Sequence, residues 1–363
     1  MNDLNNNNGS GRQRRNWERG AQNSRGEYDT SGHRPSKKNR RRHTPVWLLV
    51  FADTIAIGLF LCIFSYFHHV SPIYGHDDPI ELPQSTTAPP SINTANPTQS
   101  GTTPPAGPTP TDEAAGNFAG KFLSAGEAPI KTATTYKSEN VNVTVETRNA
   151  GNAVYHIADI YVMDVKFIKA AMAGGEYGSS WKNRAYVNEI GSSVNAFVAI
   201  NGDQCTAHRE GVVVRNGTLY RDTVYRDVCV LNYDGTLETF PPAQFDVSII
   251  KEKGAWQVWS FGPMLLDNGK PMTEFNSDVR RANPRSAIGM IEPGHYVFIA
   301  VDGRGSSSGM TLEELSQLFY DLGCVTAYNL DGGDTSAMAV DGKIYSTPSG
   351  EREATDIIYV AMD

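Results

Sequence analysis

Four segments share a pattern in which an apolar run leads directly into a polar group flanked by glycine. They are Asn201-Gly202-Asp203, Ser260-Phe261-Gly262-Pro263, Asp302-Gly303-Arg304-Gly305 and residues 329–336, NLDGGDTS. Glycine lets the backbone approach a ligand closely and leaves its N–H groups accessible to an anion. An Asp-Gly pair is most often a simple turn. Asp302 and Asp331, however, follow runs apolar enough for central strands, where a carboxylate needs a partner or a ligand, so we predict that both are functional.

Other residue types extend the range of chemistry. Arg285, with Ser286, begins an apolar run, and a guanidinium binds phosphate or carboxylate through two parallel hydrogen bonds. His208 follows Asp203 closely and is a candidate acid, base or ligand, although a surface loop histidine is the more common case. Four aspartates, Asp203, Asp302, Asp331 and Asp334, offer oxygen ligands for a divalent cation such as calcium, without the spacing of an EF-hand.

Two apolar runs and a helix between them are expected to position Asp302 and Asp331. Residues 295–301 and 325–330 have the composition of buried strands. Residues 311–322 predict a helix, with a capping box at Thr311 and Glu314 and a stop at Gly323. Both strands end in an Asp-Gly pair. In strand–helix–strand units, ligands bind at the carboxyl ends of the strands.

The rest of the C-terminal region is rich in strand and hairpin signals. Residues 136–148, 154–167 and 194–200 read as strands. Asn216-Gly217 and Asp234-Gly235 are typical of hairpin turns, the first within 211–220 and the second between 228–233 and 237–240. We therefore predict an α+β or mixed α/β fold over residues 117–363, with a central mixed β-sheet and few helices.

The N-terminal third differs in composition and predicts a membrane anchor. Residues 1–45 are polar, with eleven basic and four acidic residues, and are expected to be a disordered tail. Residues 46–67 form an apolar run of the length of a transmembrane helix, and the basic run before it predicts a cytoplasmic N-terminus. A cleaved signal peptide is the alternative, but the run is long and no A-x-A site follows. Residues 68–116 are rich in Pro, Thr and Ser and predict an extended linker. The C-terminal domain is therefore expected outside the cell, on a single-pass anchor.

Charge and cysteine content narrow the function classes. The chain carries a net charge of −8, and the tail contributes +7, so residues 46–363 carry −15. An acidic domain argues against nucleic acid as a partner. No C-x-x-C pair is present, which argues against a zinc knuckle. In an extracytoplasmic domain Cys205 and Cys229 are candidates for a disulfide, with Cys324 reduced; three isolated buried thiols are the alternative.

Five stretches in order carry a resemblance to a known family: AINGD at 199–203, GVVVRNGTLYRD at 211–222, FGPMLLDNGK at 261–270, NPRSAIGM at 283–290, and the most specific, residues 301–338. Over about residues 195–360 the sequence resembles the phosphodiester glycosidase family, including its bacterial exopolysaccharide-related branch. It departs from the family where Gln204-Cys205 replaces an aromatic residue and where Asp334-Thr335 replaces Gly-Ser.

The resemblance implies hydrolysis of the glycosidic C–O bond of a sugar-1-phosphodiester in an extracellular or cell-wall glycopolymer. It implies that Asp302, Asp331 and Asp203 are catalytic and that Arg285 and Arg304 bind phosphate. The remaining predicted substrate contacts are Asn201, Gly202, His208, Gly262, Ser286, Gly303, Asn329, Gly332, Gly333, Asp334, Thr335 and Ser336. No cofactor is assigned, and a divalent cation such as calcium at the aspartates is left open. The alternative is a non-catalytic carbohydrate-binding or assembly module for polymer export, which would favour exposed aromatic platforms.

Overall fold

The computed structural model describes residues 45–65, 79–84, 118, 120–178, 183–303, 305, 307–350 and 352–363. The chain divides into two units, one up to Phe64 and one from Ser65 onward. The predicted basic tail, most of the predicted linker and Arg304 lie outside the described residues.

The first unit contains helix α1, Val46–Ser65, in which every described side chain is exposed. Twenty residues at 1.5 Å each give about 30 Å, the thickness of a bilayer core. Among the described residues this is the one helix long and apolar enough to cross a membrane. A signal sequence near the N-terminus has the same properties, so the predicted helix is confirmed over 46–65 and its role as an anchor stays a prediction.

The second unit is built mainly from strands. The strands described are β1 (Ile80–Glu81), β2 (Ile130–Lys131), β3 (Thr135–Lys137), β4 (Val141–Ala150), β5 (Ala153–Val162), β6 (Ile168–Met172), β7 (Ala196–Asn201), β8 (Val213–Arg215), β9 (Thr218–Arg221), β10 (Val228–Leu231), β11 (Leu237–Phe240), β12 (Gln257–Trp259), β13 (Leu266–Asp267), β14 (Lys270–Pro271), β15 (Arg285–Glu292), β16 (His295–Val301), β17 (Thr326–Asn329), β18 (Met338–Val340), β19 (Lys343–Ile344) and β20 (Asp356–Ala361). Its α-helices are α2 (Val187–Ser193), α3 (Val247–Lys253) and α4 (Leu312–Asp321).

The strands form three main sheets and one small hairpin. Their orders are β1-β9-β8-β12-β10-β11, β17-β15-β16-β5-β4-β3-β2 and β19-β18-β7-β20-β6, with β13-β14 apart. The predicted β-sheet domain with few helices is confirmed, and the domain is mostly β rather than α+β or mixed α/β. The prediction of a mixed central sheet is wrong for the described residues, because every strand pair in these sheets is antiparallel.

The reason lies in the position of β15. The strand–helix–strand unit β16-α4-β17 is present, but β15 lies between its two strands and pairs antiparallel with both. Strands β16 and β17 therefore run in the same direction without pairing with each other. Their carboxyl ends still reach the same edge of the sheet, where β15 begins, since Arg285 pairs with Val301 and Ala287 with Asn329. Asp302 and Asp331, which follow these two strands, therefore lie at the same end of the sheet.

Several local predictions are confirmed. The hairpin of β8 and β9 turns at Asn216 and Gly217, with φ of 52° and 85°, and β10 pairs with β11 around the predicted second turn. Helix α4 has the predicted capping box, in which Thr311 Oγ1 accepts from the Glu314 amide and the Glu314 carboxylate accepts from the Thr311 amide. The strand expected over 136–148 is divided into β3 and β4, and that over 154–167 ends at Val162.

A short part of the predicted linker is attached to the domain. Residues 80–81 form β1, which pairs with β9 at the edge of the six-stranded sheet. Leu82 follows it and is buried, and its amide donates to the Gly217 carbonyl at 2.9 Å. The sequence pattern of residues 68–116 gave no sign of this strand, because composition there is dominated by Pro, Thr and Ser.

The disulfide predicted between Cys205 and Cys229 is wrong. Both are free thiols, as is Cys324, and all three are buried. Cys229 is held inside β10 by pairing with Thr239 and Trp259, while Cys205 lies in a loop turn with its Sγ 4.0 Å from Met172 Sδ. Burial raises the pKa of all three thiols, that of Cys324 to about 12. The alternative of isolated buried thiols is the one observed.

Candidate functional site

Asp331, Thr335 and Arg352 form the centre of the candidate site. Asp331 follows the end of β17, and its carboxylate accepts from Arg352 Nη2 at 2.7 Å. Arg352 Nε donates to Thr335 Oγ1, and Arg352 Nη2 also donates to the Gly332 carbonyl at 2.9 Å. Gln204 Nε2 reaches the same Thr335 oxygen at 3.3 Å. Asp331 and Thr335 are among the residues predicted from the sequence. Arg352 is not, because it precedes β20 as an isolated basic residue in a polar segment.

The electrostatics of this group are set by unequal burial. The Asp331 side chain is 7% exposed, whereas that of Arg352 is 41% exposed. Burial raises the pKa of Asp331, and Arg352, the Thr335 hydroxyl and the Gly332 amide lower it in part. A shielded carboxylate thus lies behind an accessible cation. The glycine amides are already engaged, Gly332 with Asp331 and Gly333 with the Pro284 carbonyl at 3.0 Å.

Thr335 and Arg352 line an open cleft of about 440 Å³. Its walls also include Tyr186 and Asn188 from the start of α2, and Ile344 at the end of β19. The Tyr186 ring is 38% exposed. A cleft of this size with one aromatic ring and a few convergent polar groups has the features of a small-ligand site.

Three of the predicted aspartates hold residues 346–350 and Arg352, which we call the strap. Asp302 Oδ1 accepts from the Thr347 amide at 2.8 Å, and Asp334 Oδ1 accepts from Ser349 Oγ at 3.3 Å. Asp331 binds Arg352 at its far end. The aspartates therefore fix the part of the chain that presents Arg352 to the cleft.

Asp302 has a second partner that the sequence did not reveal. His156, in the central strand β5, places Nε2 3.0 Å from Asp302 Oδ2 and Nδ1 2.9 Å from Thr147 Oγ1. The side chains of His156 and Asp302 are each 5% exposed. His156 lies in an apolar strand, where a histidine usually reads as a core residue, so the pattern gave no signal for this pair.

Asp203 belongs to a buried ionic group behind the cleft. Arg215 Nη2 donates to Asp203 Oδ1 at 2.5 Å and to Asp356 Oδ2 at 3.0 Å. The other Asp203 oxygen accepts from the Ser260 amide at 3.0 Å. Burial and the Asp203 charge raise the pKa of Asp356 to about 6, against the opposing effect of Arg215. The group fastens β7, β8 and β20 together at the end of β7.

The sequence left a calcium site possible at four aspartates, but no three of them bring carboxylate oxygens together among the described residues. Asp203, Asp302 and Asp331 bind Arg215, His156 and Arg352 respectively, and Asp334 binds Ser349. In the described part of the chain one group has ligand atoms close enough for a metal, namely Asp203, Cys205 and Asp356. Arg215 already bridges the two carboxylates of that group, so a cation there would meet a buried positive charge.

Asn201 and Asn329 have positioning contacts. Asn201 Nδ2 donates to the Asp331 carbonyl at 2.8 Å, and its Oδ1 accepts from Ser286 Oγ at 2.6 Å and from the Ala337 amide. Asn329 Nδ2 donates to the Gly262 carbonyl at 2.8 Å. Asn201 therefore ties β7, β15 and the Asp331 loop together. Two buried atoms nearby, Asn329 Oδ1 and Ser336 Oγ, have no hydrogen-bond partner among the described residues.

The other predicted contacts lie apart from the cleft centre. Arg285 is buried, and its guanidinium donates to the carbonyls of Val279, Arg281 and Met310. Burial lowers the pKa of Arg285 to about 10. His208 is solvent-exposed, and partial desolvation by neighbouring atoms, followed by the Arg226 charge, lowers its pKa. Arg304 lies outside the described residues, so its phosphate role stays a prediction.

Two glycines permit close packing around the site. A Cβ on Gly202 would lie 2.1 Å from Asp356 Oδ2, and one on Gly303 would lie 2.8 Å from a Pro284 side-chain carbon. Both positions explain why the polar groups after β7 and β16 are flanked by glycine. Their role is steric, since the backbone at neither position has a positive φ.

Residues 193–361 match the sequence profile described as phosphodiester glycosidase. These residues belong to the phosphodiester glycosidase family. The match begins in α2 and includes Asp203, Asp302, Asp331 and Arg352.

Individual relatives agree with this. An uncharacterized SPbeta prophage-derived protein of Bacillus subtilis strain 168 is 33% identical over 192 residues, which are 49% of this chain and 30% of that protein. The N-acetylglucosamine-1-phosphodiester alpha-N-acetylglucosaminidase of Bos taurus is 28% identical over 196 residues, 48% of this chain and 37% of that protein. The chain thus spans about a third of the length of these relatives.

A solved structure shares the fold. The catalytic domain of zebrafish N-acetylglucosamine-1-phosphodiester alpha-N-acetylglucosaminidase, auto-inhibited by its pro-peptide, superposes with a TM-score of 0.52 at 20% identity. The match covers 65% of this chain and 89% of that one. The prediction of family is confirmed, and the mostly β architecture is that of a known catalytic domain.

Proposed function

We propose that the domain hydrolyses a sugar-1-phosphodiester at the cleft lined by Thr335 and Arg352. The observation that carries this proposal is the accessible guanidinium of Arg352, which donates to the buried Asp331 carboxylate and to the Thr335 hydroxyl. The Arg352 guanidinium is suited to binding phosphate, and the Asp331 carboxylate beside it is suited to stabilising the anomeric carbon. Membership of the phosphodiester glycosidase family supports the same reaction class.

Phosphate binding is assigned to Arg352 rather than to Arg285. A guanidinium has five N–H donors, and the exposed part of Arg352 lines the cleft. Arg285 is buried instead, and its guanidinium donates to three backbone carbonyls. Thr335 adds a hydroxyl beside Arg352, which suits a phosphate oxygen. The exposed Tyr186 ring supplies an apolar wall for a sugar.

The chemistry requires a carboxylate but little acid assistance. In the proposed reaction the bond between the anomeric carbon and the phosphate oxygen breaks, and both electrons leave with the phosphate. A water oxygen bonds to the anomeric carbon and gives a proton to Asp331, which passes it to solvent. The products are a free sugar and a phosphate monoester. Arg352 stabilises the charge on the leaving phosphate, and Asp331 also stabilises the positive anomeric centre.

Asp302 and Asp203 are assigned to positioning. Asp302 fixes the strap through Thr347 and is itself oriented by His156. Asp203 fixes the end of β7 through its pair with Arg215, and its other oxygen accepts from the Ser260 amide. We therefore expect their replacement to weaken activity through the geometry of Arg352 and of the Asp331 loop.

The direct test is turnover of a sugar-1-phosphodiester by the full chain and by variants. Asp331→Asn is expected to lose activity by at least 100-fold, since the carboxylate acts in the transition state. Asp302→Asn is expected to lose less. Full activity in both variants would refute the assignment. Binding of the substrate without turnover in the wild type would instead favour a non-catalytic carbohydrate-binding module.

We also propose that α1 anchors the chain in a membrane, with its N-terminus in the cytoplasm and the domain outside the cell. The 20-residue apolar helix with exposed side chains and the basic run at residues 37–42 support this topology. The substrate would then be an extracellular or cell-wall glycopolymer. Protease treatment of intact cells should remove the domain and leave an α1-containing fragment in the membrane fraction. Release of the intact domain without α1 would indicate a cleaved signal sequence.

A further inference from the structure

Three rings and a guanidinium form a partly exposed group near the candidate site, which we call the platform. It comprises Tyr225, Arg226, Phe261 and His208. The Arg226 guanidinium carbon lies 5.4 Å from the centre of the Tyr225 ring and 5.6 Å from that of Phe261. The His208 ring meets Phe261 edge-on, with centroids 6.4 Å apart. Tyr225 is 49% exposed, and Phe261 is half-buried.

The platform is attached rigidly to the end of β17. The Tyr328 hydroxyl accepts from the Phe261 amide at 2.9 Å and donates to the Asp227 carbonyl at 2.5 Å. One buried hydroxyl thus fixes the backbone beside Arg226 and the backbone of Phe261. The Asp227 carboxylate adds a bond from the Met264 amide at 3.1 Å. Solvent-exposed rings held by such contacts lose little conformational freedom when a ligand binds.

The platform also lies close to the cleft along the chain. Tyr328 immediately precedes Asn329, whose side chain binds the Gly262 carbonyl next to Phe261. His208 is four residues from Gln204, whose amide contacts Thr335 in the cleft. Four residues of extended chain span at most about 14 Å. The separation between the two places is therefore within the length of a ligand of several units.

We infer that the platform is a second subsite, which binds the glycan on the leaving-group side of the scissile phosphodiester. The inference rests on the proposed function, because it assigns the cleft to the sugar that is released. The platform would hold the part of the polymer that leaves as the phosphate monoester.

The chemistry of the platform selects this ligand. One face of a pyranose ring carries C–H groups and packs on an aromatic ring, while its hydroxyls bond to polar groups at the edge. Arg226 adds a positive charge that attracts a phosphate-bearing chain. Among the described residues no carboxylate lies within ion-pair distance of Arg226. The domain is acidic, so a local cation between two rings stands out as a site for an anionic glycan.

The test compares long and short ligands on the full chain. The short substrate is a sugar-1-(methyl phosphate), whose leaving group is too small to reach the platform, and the long one carries an oligosaccharide on the phosphate. Tyr225→Ala and Arg226→Gln should raise KM for the long substrate about 10-fold and leave KM for the short one within twofold. Tyr320→Ala removes a similarly exposed tyrosine, which lies on α4 and is 47% exposed. It should change KM for neither substrate.

A binding measurement separates this inference from the proposed function. Calorimetry with an oligosaccharide phosphate monoester needs no turnover, and the two platform variants should weaken its binding about 10-fold. If the wild type turns over neither substrate but shows this loss, the subsite holds and the proposed reaction fails. Equal effects of the variants on both substrates, or unchanged binding of the monoester, would overturn the subsite.

Discussion

Replacing Arg352 by glutamine removes the cation that both holds Asp331 and is proposed to hold the phosphate. A hydrogen bond to a charged group contributes about 1.5–3 kcal/mol. That range corresponds to about 10- to 150-fold in kcat/KM. Because the Arg352 side chain is 41% exposed, solvent screens its charge. We therefore expect the lower part of the range, about 10- to 50-fold.

The same variant should also change the pH dependence. Arg352 lowers the pKa of Asp331 against the larger raising effect of burial, so its loss leaves burial less opposed. The pKa of Asp331 then rises. If the ionised carboxylate is the reactive form, activity falls below this pKa, and the acid limb of kcat/KM moves to higher pH. Arg352→Lys keeps the charge and should leave the limb close to that of the wild type while losing part of the rate.

The assay is kcat/KM for a chromogenic sugar-1-phosphodiester from pH 4 to 9. Arg148→Gln is the matched control, since Arg148 pairs with Glu146 on the protein surface and its side chain is 44% exposed. It should change neither the rate nor the limb. Rates of Arg352→Gln within twofold of the wild type, or an acid limb that moves to lower pH, would refute the reasoning.

Three further predictions concern stability. Gly202→Ala should lower the free energy of unfolding by at least about 2 kcal/mol in urea titrations, because its Cβ would displace the Asp356 carboxylate from Arg215; Gly191→Ala, with ordinary contacts at 3.6 Å, should be near neutral. The pKa of Asp356 is raised from 3.8 to about 6, so its contribution to the free energy of unfolding is fully present below pH 3.8 and is lost as pH rises to about 6. Relative to Asp356→Asn, the free energy of unfolding of the wild type should fall by up to about 3 kcal/mol across that window. A rise would contradict the assignment. Reductant should leave the melting temperature unchanged and thiol reagents should label Cys205 and Cys229 only after denaturation; labelling in the folded protein would show that these thiols are not buried.

The sequence predicted the parts of the fold that depend on local chemistry. The Asn216-Gly217 turn and the Thr311 capping box are determined by residues close in the chain, and both are present. The pairing of β15 between β16 and β17 depends on contacts between distant segments, which periodicity does not encode. The antiparallel character of the sheets was missed for that reason.

The candidate site divides in the same way. Glycine spacing and apolar runs indicated Asp302 and Asp331, because both stand at ends of central strands. Arg352 and His156 were missed, because each acts only through a partner far away in sequence. Arg285 shows the reverse case. Its position at a strand start predicted a ligand contact, but the direction of its side chain toward backbone carbonyls depends on the loop around Val279.

The central claim is that the domain breaks a bond between an anomeric carbon and a phosphate oxygen. Turnover of a sugar-1-phosphodiester in ¹⁸O-labelled water, followed by mass spectrometry of both products, tests it directly. The account predicts one ¹⁸O atom at the anomeric position of the released sugar and none in the phosphate monoester. Label in the phosphate product would mean cleavage of the phosphorus–oxygen bond, and would contradict the roles assigned to Asp331 and Arg352.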